Sequence, residues 1–446
     1  MGLLDKILSK VGASETKKKV FRNLYWAVLG KVVTLLGGLF VGILVARYLG
    51  PEQYGLMSYV ISYVSLFQIF ASFGMEGIEV REMSKEGADV NLILGTVFGI
   101  KFVLAIITVI LVIGTALIFE TDTFTILMIS LYSLSIILNR FTVIRSYFTS
   151  IVWNEYIVKT EISRTLLGAG IKIILVLIKA PLWAFIAATV FDILLLSMGY
   201  VLAYKSKIGS MSLWGYDKNI AKYILKQSFP LMLSGAAVII YQRIDQVMIG
   251  NMIDKESVGQ FSVAAKFVEI VLFIPMIISQ TVTPILVKLR DQDEKEYKTK
   301  IQMFQNVTVW ISIFISCIIS ILSYWIILYT FGNGYILAVP ILQVMIFKSI
   351  GMALAYTSGQ IIIIERKQKN VIYRNILGCI VCIGLNVIFI PKYGVIACAY
   401  ISVLAALISG FLAHIFIPEY RLLFYSQIKC LFLGWLDILR IRKILH

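Results

Sequence analysis

The sequence predicts an all-α polytopic membrane protein that crosses a bilayer about twelve times, at roughly 20 residues per span. Three observations carry this: the composition, the rhythm of the apolar runs and the sidedness of the charge. Apolar residues make up 59% of the 446 and charged residues 15%, against about 25% charged in soluble domains. A water-soluble globule of this length could not hide so much apolar surface.

The elements follow in chain order. Leu3, Leu4, Ile7, Leu8 and Val11 recur at helical spacing among Asp5, Lys6, Ser9 and Lys10, ahead of Lys17-Lys18-Lys19. Residues 1–23 therefore read as a cytoplasmic amphipathic segment on the membrane surface, not as a signal peptide. Lys6 stands where N-myristoylation needs Ser or Thr. Twelve apolar runs come next: 24–48, 55–78, 92–118, 124–147, 161–179, 182–204, 222–250, 257–284, 302–330, 336–363, 371–390 and 394–416. A β-barrel would alternate with period two in pieces of about ten residues, and these runs do not. The tail from Arg421 to His446 mixes Leu422, Leu423, Ile428, Phe432 and Trp435 with Gln427, Lys429 and Asp437. It reads as an interfacial helix, with a thirteenth span as the other reading.

The net charge of +16 could signal nucleic acid or the inner face of a membrane. Its distribution decides. Of the 41 Lys and Arg, 31 fall in the termini and in the segments 81–90, 140–164, 205–226, 288–300 and 366–374, and only Lys179, Lys255 and Lys392 lie in the opposite loops. The positive-inside rule puts both termini in the cytoplasm of a cell-membrane protein and removes nucleic acid as a partner. The outer loops, such as 119–124 and 391–394, leave no room for an external domain.

The chain also repeats. Glu52, Gly55 and Ser58 match Glu256, Gly259 and Ser262 at an offset of 204. Arg164, Leu167, Gly168, Pro181 and Ala187 match Arg374, Leu377, Gly378, Pro391 and Ala397 at 210. Two parallel six-helix lobes follow, 24–208 and 209–418, with 419–446 as the tail. Parallel repeats of this kind belong to transporters that rock two lobes about a central site.

Polar residues mark that site. Ser262, Lys266, Glu269, Phe273 and Gln280 share one face of the eighth run, and Ser58, Ser62, Ser65, Ile69 and Glu76 hold matching places in the second. Seven basic residues lie inside runs: Lys31, Arg47, Lys101, Lys172, Arg243, Lys266 and Lys348. A charge within a span costs at least about 2.5–3.5 kcal/mol on insertion scales. Snorkelling accounts most readily for Arg47 and Lys101. The remainder outnumber Asp192, Asp245 and Glu269, so the interior favours an anionic substrate such as a phosphate or pyrophosphate. Arg243 and Asp245 lie 200° apart on an ideal helix and cannot both face one cavity squarely, whereas Gln242, Asp245 and Gln246 share a face.

Other chemistry is excluded. With only His414 and His446, neither histidine catalysis nor a metal cluster is expected. The five cysteines sit in apolar sequence, and Cys379-x-x-Cys382 reads as packing despite its redox spacing. No phosphate-binding Gly-x-x-x-x-Gly-Lys-Ser/Thr loop is present. The chain is expected to be no enzyme and to need no cofactor.

Ala46-Arg47-Tyr48-Leu49-Gly50-Pro51-Glu52-Gln53-Tyr54-Gly55, Phe73-Gly74, Arg81-Glu82, and Arg243-Ile244-Asp245-Gln246-Val247-Met248-Ile249-Gly250 with Val258-Gly259-Gln260-Phe261-Ser262 resemble the polysaccharide (O-antigen, Wzx-type) flippases. That family belongs to the multidrug/oligosaccharidyl-lipid/polysaccharide (MOP) exporter superfamily, and the topology matches over nearly the whole chain. The resemblance implies a V-shaped two-lobe bundle of MATE type that flips an undecaprenyl-pyrophosphate-linked oligosaccharide outward by alternating access. Basic residues would hold pyrophosphate and sugars. It carries over to Arg47, Arg243 and Asp245 by motif; Lys31, Lys172, Lys266 and Lys348 rest on burial alone. Asp245 or Glu269 would couple to H+ or Na+. The expected partners are the polysaccharide polymerase and chain-length machinery of the same pathway, with the flippase itself a monomer. The competing readings are a cation-coupled MATE-type small-molecule exporter, which the basic interior opposes, and a membrane polysaccharide polymerase or ligase, which the short outer loops oppose.

Overall fold

The computed structural model describes residues 15–441, and every regular element among them is helical. The surface helix expected over residues 3–11 lies outside the described residues. A bilayer offers no water to backbone amides, so a spanning chain must bond them internally, and helices do so within one segment.

The first helix, α1 (Glu15–Ser72), carries two of the expected runs joined at a kink. Gly50 takes φ 73°, ψ 172° there and Pro51 follows. Proline has no N–H and disfavours helical geometry in the residue before it, while glycine accepts positive φ without a Cβ clash. After a break at Phe73-Gly74, where both φ angles are positive, come α2 (Glu76–Met83), α3 (Val90–Phe119), α4 (Thr123–Leu138), α5 (Thr142–Ser150), α6 (Asn154–Leu177), α7 (Leu182–Lys207) and α8 (Lys218–Met252). Then follow α9 (Lys255–Gln292), α10 (Glu294–Thr330), α11 (Ala338–Met345), α12 (Lys348–Ile364), α13 (Val371–Tyr393), α14 (Val395–Leu407), α15 (Ala413–Phe416) and α16 (Arg421–Ile441). Aspartates cap several starts: Asp89 accepts from Leu92 N, Asp254 from Ser257 N, and Asp293 from Lys295 N and Glu296 N.

Ten segments among the described residues are long and apolar enough to cross a membrane. One of them, Leu29–Met83, holds two of the expected runs. The run at 161–179 lies on α6, whose Glu155, Lys159, Glu161, Arg164 and Lys172 keep it out of the ten. All twelve runs therefore lie on helices. Ile110, Leu117, Ile118, Leu177 and Ile321 remain 63–77% exposed, an apolar outside that suits lipid rather than water. This is an all-α, multi-pass integral membrane protein.

The described chain divides into two compact units. The first runs up to Tyr48 and resumes over Phe67–Met232. Its core gathers Met75, Leu94, Val97, Ile144, Phe148 and Tyr200. Trp214 closes one end by donating from Nε1 to the Tyr204 hydroxyl at 3.0 Å. The second unit takes Leu49–Leu66 and the chain from Leu233 onward. Within it the repeat-related glycines meet: a Cβ on Gly55 would fall on the Lys255 carbonyl, and one on Gly259 on the Pro51 carbonyl. Small residues let two backbones cross this closely and gain contact area where lipid supplies no hydrophobic drive.

The tail helix α16 lies along α10 in the same chain direction. Ser426 Oγ donates to Gln302 and Gln305, Trp310 Nε1 donates to the Cys430 carbonyl at 2.9 Å, and Gly434 packs against Trp310. Gln427, fully buried, donates to the Leu354 and Gly410 carbonyls.

Candidate functional site

The singled-out charges sort into separate settings. In the second unit, Arg243 Nη2 stands 3.3 Å from Glu269 Oε1, and Lys266 Nζ stands 3.8 Å from Glu269 Oε2. The three side chains are 37–44% exposed, so one carboxylate holds two cations at a half-open surface. Tyr54, on the outgoing arm of α1, lies within electrostatic reach of both Lys266 and Glu269. The Ser62 hydroxyl bonds Gln246 Oε1 between α1 and α8. Ser262 is buried, and its hydroxyl has no hydrogen-bond partner among the described residues. Lys348, at the start of α12, is 5% exposed and makes no ion pair among the described residues. Its charge acts on both Glu269 and Cys382.

Asp245 points elsewhere, as its 200° offset from Arg243 requires. It is 1% exposed. Oδ1 accepts from Asn386 Nδ2 at 2.6 Å and from Cys382 Sγ at 3.3 Å, and Oδ2 accepts from the Ser402 hydroxyl. All three donors are neutral and come from α13 and α14. Asn386 Oδ1 is buried with no donor of its own among the described residues. The result is a buried carboxylate beside an orphaned amide oxygen, an oxygen set that suits a small hard cation or a proton.

In the first unit, Lys172 Nζ pairs with Asp192 Oδ2 at 2.5 Å, with the side chains 15% and 8% exposed. A Cβ on Gly168 would collide with that carboxylate, so the glycine makes room for the pair. The offset of 210 lays Lys172 and Asp192 over Cys382 and Ser402. One half thus fills this position with a tethered ammonium, and the other surrounds Asp245 with neutral donors. Lys31 and Arg47 are exposed on α1. Lys101 does not snorkel: it is 2% exposed, 2.7 Å from the fully buried Glu79, and bonds Thr142 Oγ1. Forming this pair removes the cost of leaving either charge alone in a low-dielectric interior.

Several of these residues escape a reading of the sequence. Asn386 and Ser402 carry no charge to flag them, although the repeat points to Ser402 through Asp192. Cys382 reads as packing from its apolar surroundings, yet it touches Asp245. Arg374, counted with the cytoplasmic charges of 366–374, is 8% exposed and donates to Ser358 Oγ at 3.1 Å.

Over most of its length the chain has the fold of solved transporters. The lipid II flippase MurJ in an inward closed conformation superposes with TM-score 0.67 at 18% identity, covering 92% of each chain. The MATE multidrug transporter DinF-BH, solved as a ligand complex, gives 0.67 at 15% identity over 92% of this chain and 96% of its own. A MOP superfamily transporter from Pyrococcus furiosus, described by the reverse polarity of its binding pocket, gives 0.56 at 15% identity over 96% and 97%. No curated protein matches by sequence. Helices, repeat and buried charges together define a multi-pass membrane protein with the fold of these solved proteins, which are described as transporters and as a flippase. The profile described as "Polysaccharide biosynthesis protein" matches residues 20–290, and the MatE profile matches 230–388. The chain belongs to the polysaccharide biosynthesis protein family.

Proposed function

We propose that this protein is a cell-membrane flippase that moves a polyprenyl-pyrophosphate-linked oligosaccharide repeat unit outward for surface polysaccharide assembly. The supporting observation is the Arg243–Glu269–Lys266 cluster with Lys348 behind it. An unpaired ammonium held 5% exposed is expensive unless an anion completes it. Glu269 occupies the two outer cations loosely, at 3.3 and 3.8 Å. A pyrophosphate brings more charge and bidentate geometry for the guanidinium, so it would displace that carboxylate. Lys31, Arg47 and Lys172 join the proposed binding set for phosphate and sugar.

Transport would proceed by alternating access of the halves 24–208 and 209–418, with both termini cytoplasmic as the charge asymmetry favours. An inside-negative potential assists outward movement of an anion by about 2.3 kcal/mol per charge per 100 mV. Asp245, Asn386 Oδ1 and Ser402 Oγ fit H+ or Na+, which makes Asp245 the residue of choice for coupling. The MatE profile match over 230–388 also favours a cation-coupled small-molecule exporter, but the surplus of basic groups at the cluster speaks against cationic cargo. The test is substitution: Arg243→Ala with Lys266→Ala at normal protein levels abolishes surface glycan. Unchanged glycan would overturn the reading.

A further inference from the structure

A second polar site lies wholly inside the first unit. A small, partly open cleft is lined by Gln68, Ser72, Glu76, Lys101, Asn139, Arg140 and Thr142. Both walls are breaks in helices. Gln68, Ser72 and Glu76 stand four residues apart across the interruption at Phe73-Gly74, and residues 139–141 form a 3-10 turn between α4 and α5. Discontinuous membrane helices expose side chains and backbone that a continuous helix would satisfy itself, and transporters build ligand sites at such breaks.

Several of the groups facing the cleft are uncommitted. The Arg140 guanidinium lies 4.8, 4.4 and 5.0 Å from the ring centroids of Phe98, Phe102 and Phe141, and its buried Nε has no hydrogen-bond partner among the described residues. Its flank is held by aromatic faces, and no carboxylate pairs with it among the described residues. The side-chain amides of Gln68 and Asn139 make no hydrogen bond within the described residues, and Glu76 is exposed and forms no ion pair there. Lys101 is committed to Glu79 and Thr142. Lys101 cancels Glu79 and Arg140 cancels Glu76, so the cleft is neutral overall. A bare phosphate would meet an exposed carboxylate here with no net positive charge to draw it in. Two free amides, a carboxylate, a guanidinium and hydroxyls match a ligand rich in hydroxyl groups, which can donate and accept at every position.

The geometry points to a sugar subsite in this cleft, binding a neutral ring of the transported glycan at a place separate from the cluster of Arg243. The inference rests on the flippase reading above and names the part of the substrate that the cationic cluster does not recognise.

The experiment uses purified full-length protein in nanodiscs with two probes: polyprenyl pyrophosphate without sugar, and the lipid-linked oligosaccharide extracted from the producing cells. The double variant Gln68→Ala/Asn139→Ala removes two amides that bond nothing else among the described residues, so its thermal unfolding should match that of the wild type. Wild type binds the glycosylated lipid more tightly than the bare one. The double variant loses about tenfold of that advantage, the worth of one or two ligand hydrogen bonds, while binding bare polyprenyl pyrophosphate unchanged. Wild-type affinity of the variant for the glycosylated lipid would overturn the subsite and leave the flippase reading standing. Failure of wild type to bind either lipid would overturn both.

Discussion

Replacing Glu269 by Gln should tighten the grip on pyrophosphate. In the resting cluster this carboxylate lies 3.3 Å from Arg243 and 3.8 Å from Lys266, and an incoming anion must break both pairs. At an effective dielectric near 20, Coulomb's law gives each pair about 4–5 kcal/mol. With side chains 37–44% exposed, water screens that to about 0.2–1 kcal/mol per pair. Removing the like-charge repulsion between Glu269 and the phosphates adds a comparable amount. The sum, about 0.6–3 kcal/mol, corresponds to roughly 3- to 150-fold tighter binding. The assay is equilibrium binding of polyprenyl pyrophosphate to wild type and Glu269→Gln at several salt concentrations. The gain should shrink as ionic strength rises, because screening weakens the pairs in both forms. Equal or weaker binding by the variant would refute the idea that Glu269 is a displaceable stand-in for substrate.

Three other outcomes follow from the geometry. Gly55→Ala places a methyl group on the Lys255 carbonyl and should cost about 3 kcal/mol or more of stability, whereas Gly42→Ala, with nothing within 4 Å, should leave thermal unfolding in detergent unchanged. Lys172→Met strands the Asp192 carboxylate and should destabilise by about 3–5 kcal/mol; Lys172→Met with Asp192→Leu should recover most of it, again by thermal unfolding. Wild type should be stabilised by Na+, and Asp245→Asn should abolish that gain, read as the shift in unfolding temperature with and without the cation.

The spans are legible in the sequence because bilayer thickness dictates run length and the backbone must bond itself within each run. Their ends are less so. Hydropathy puts the eighth run at 257–284 and the ninth at 302–330, but α9 extends over Lys255–Gln292 and α10 begins at Glu294. Hydropathy records where lipid contact stops, whereas helical hydrogen bonding continues past it. The charge tally counts Arg140 and Arg374 with the cytoplasmic segments 140–164 and 366–374, although one lies in the cleft under three aromatic rings and the other is only 8% exposed. Single charges inside runs are visible, but not which of them pair. Lys101 finds Glu79 across a helix break, and Lys172 finds Asp192 on the next helix. Neutral residues around Asp245 are invisible to any reading that starts from charge, since Asn386 and Ser402 are ordinary helix-packing residues until the fold brings them to a carboxylate.

Reconstituted flipping tests the central claim most directly. Proteoliposomes loaded with fluorescent polyprenyl-pyrophosphate-linked oligosaccharide in one leaflet are assayed for the fraction that reaches the other. The account predicts protein-dependent transfer that Arg243→Ala and Lys266→Ala abolish without unfolding the protein. Transfer at the protein-free rate by the folded wild type, with an inside-negative potential and Na+ or a proton gradient imposed, would contradict it.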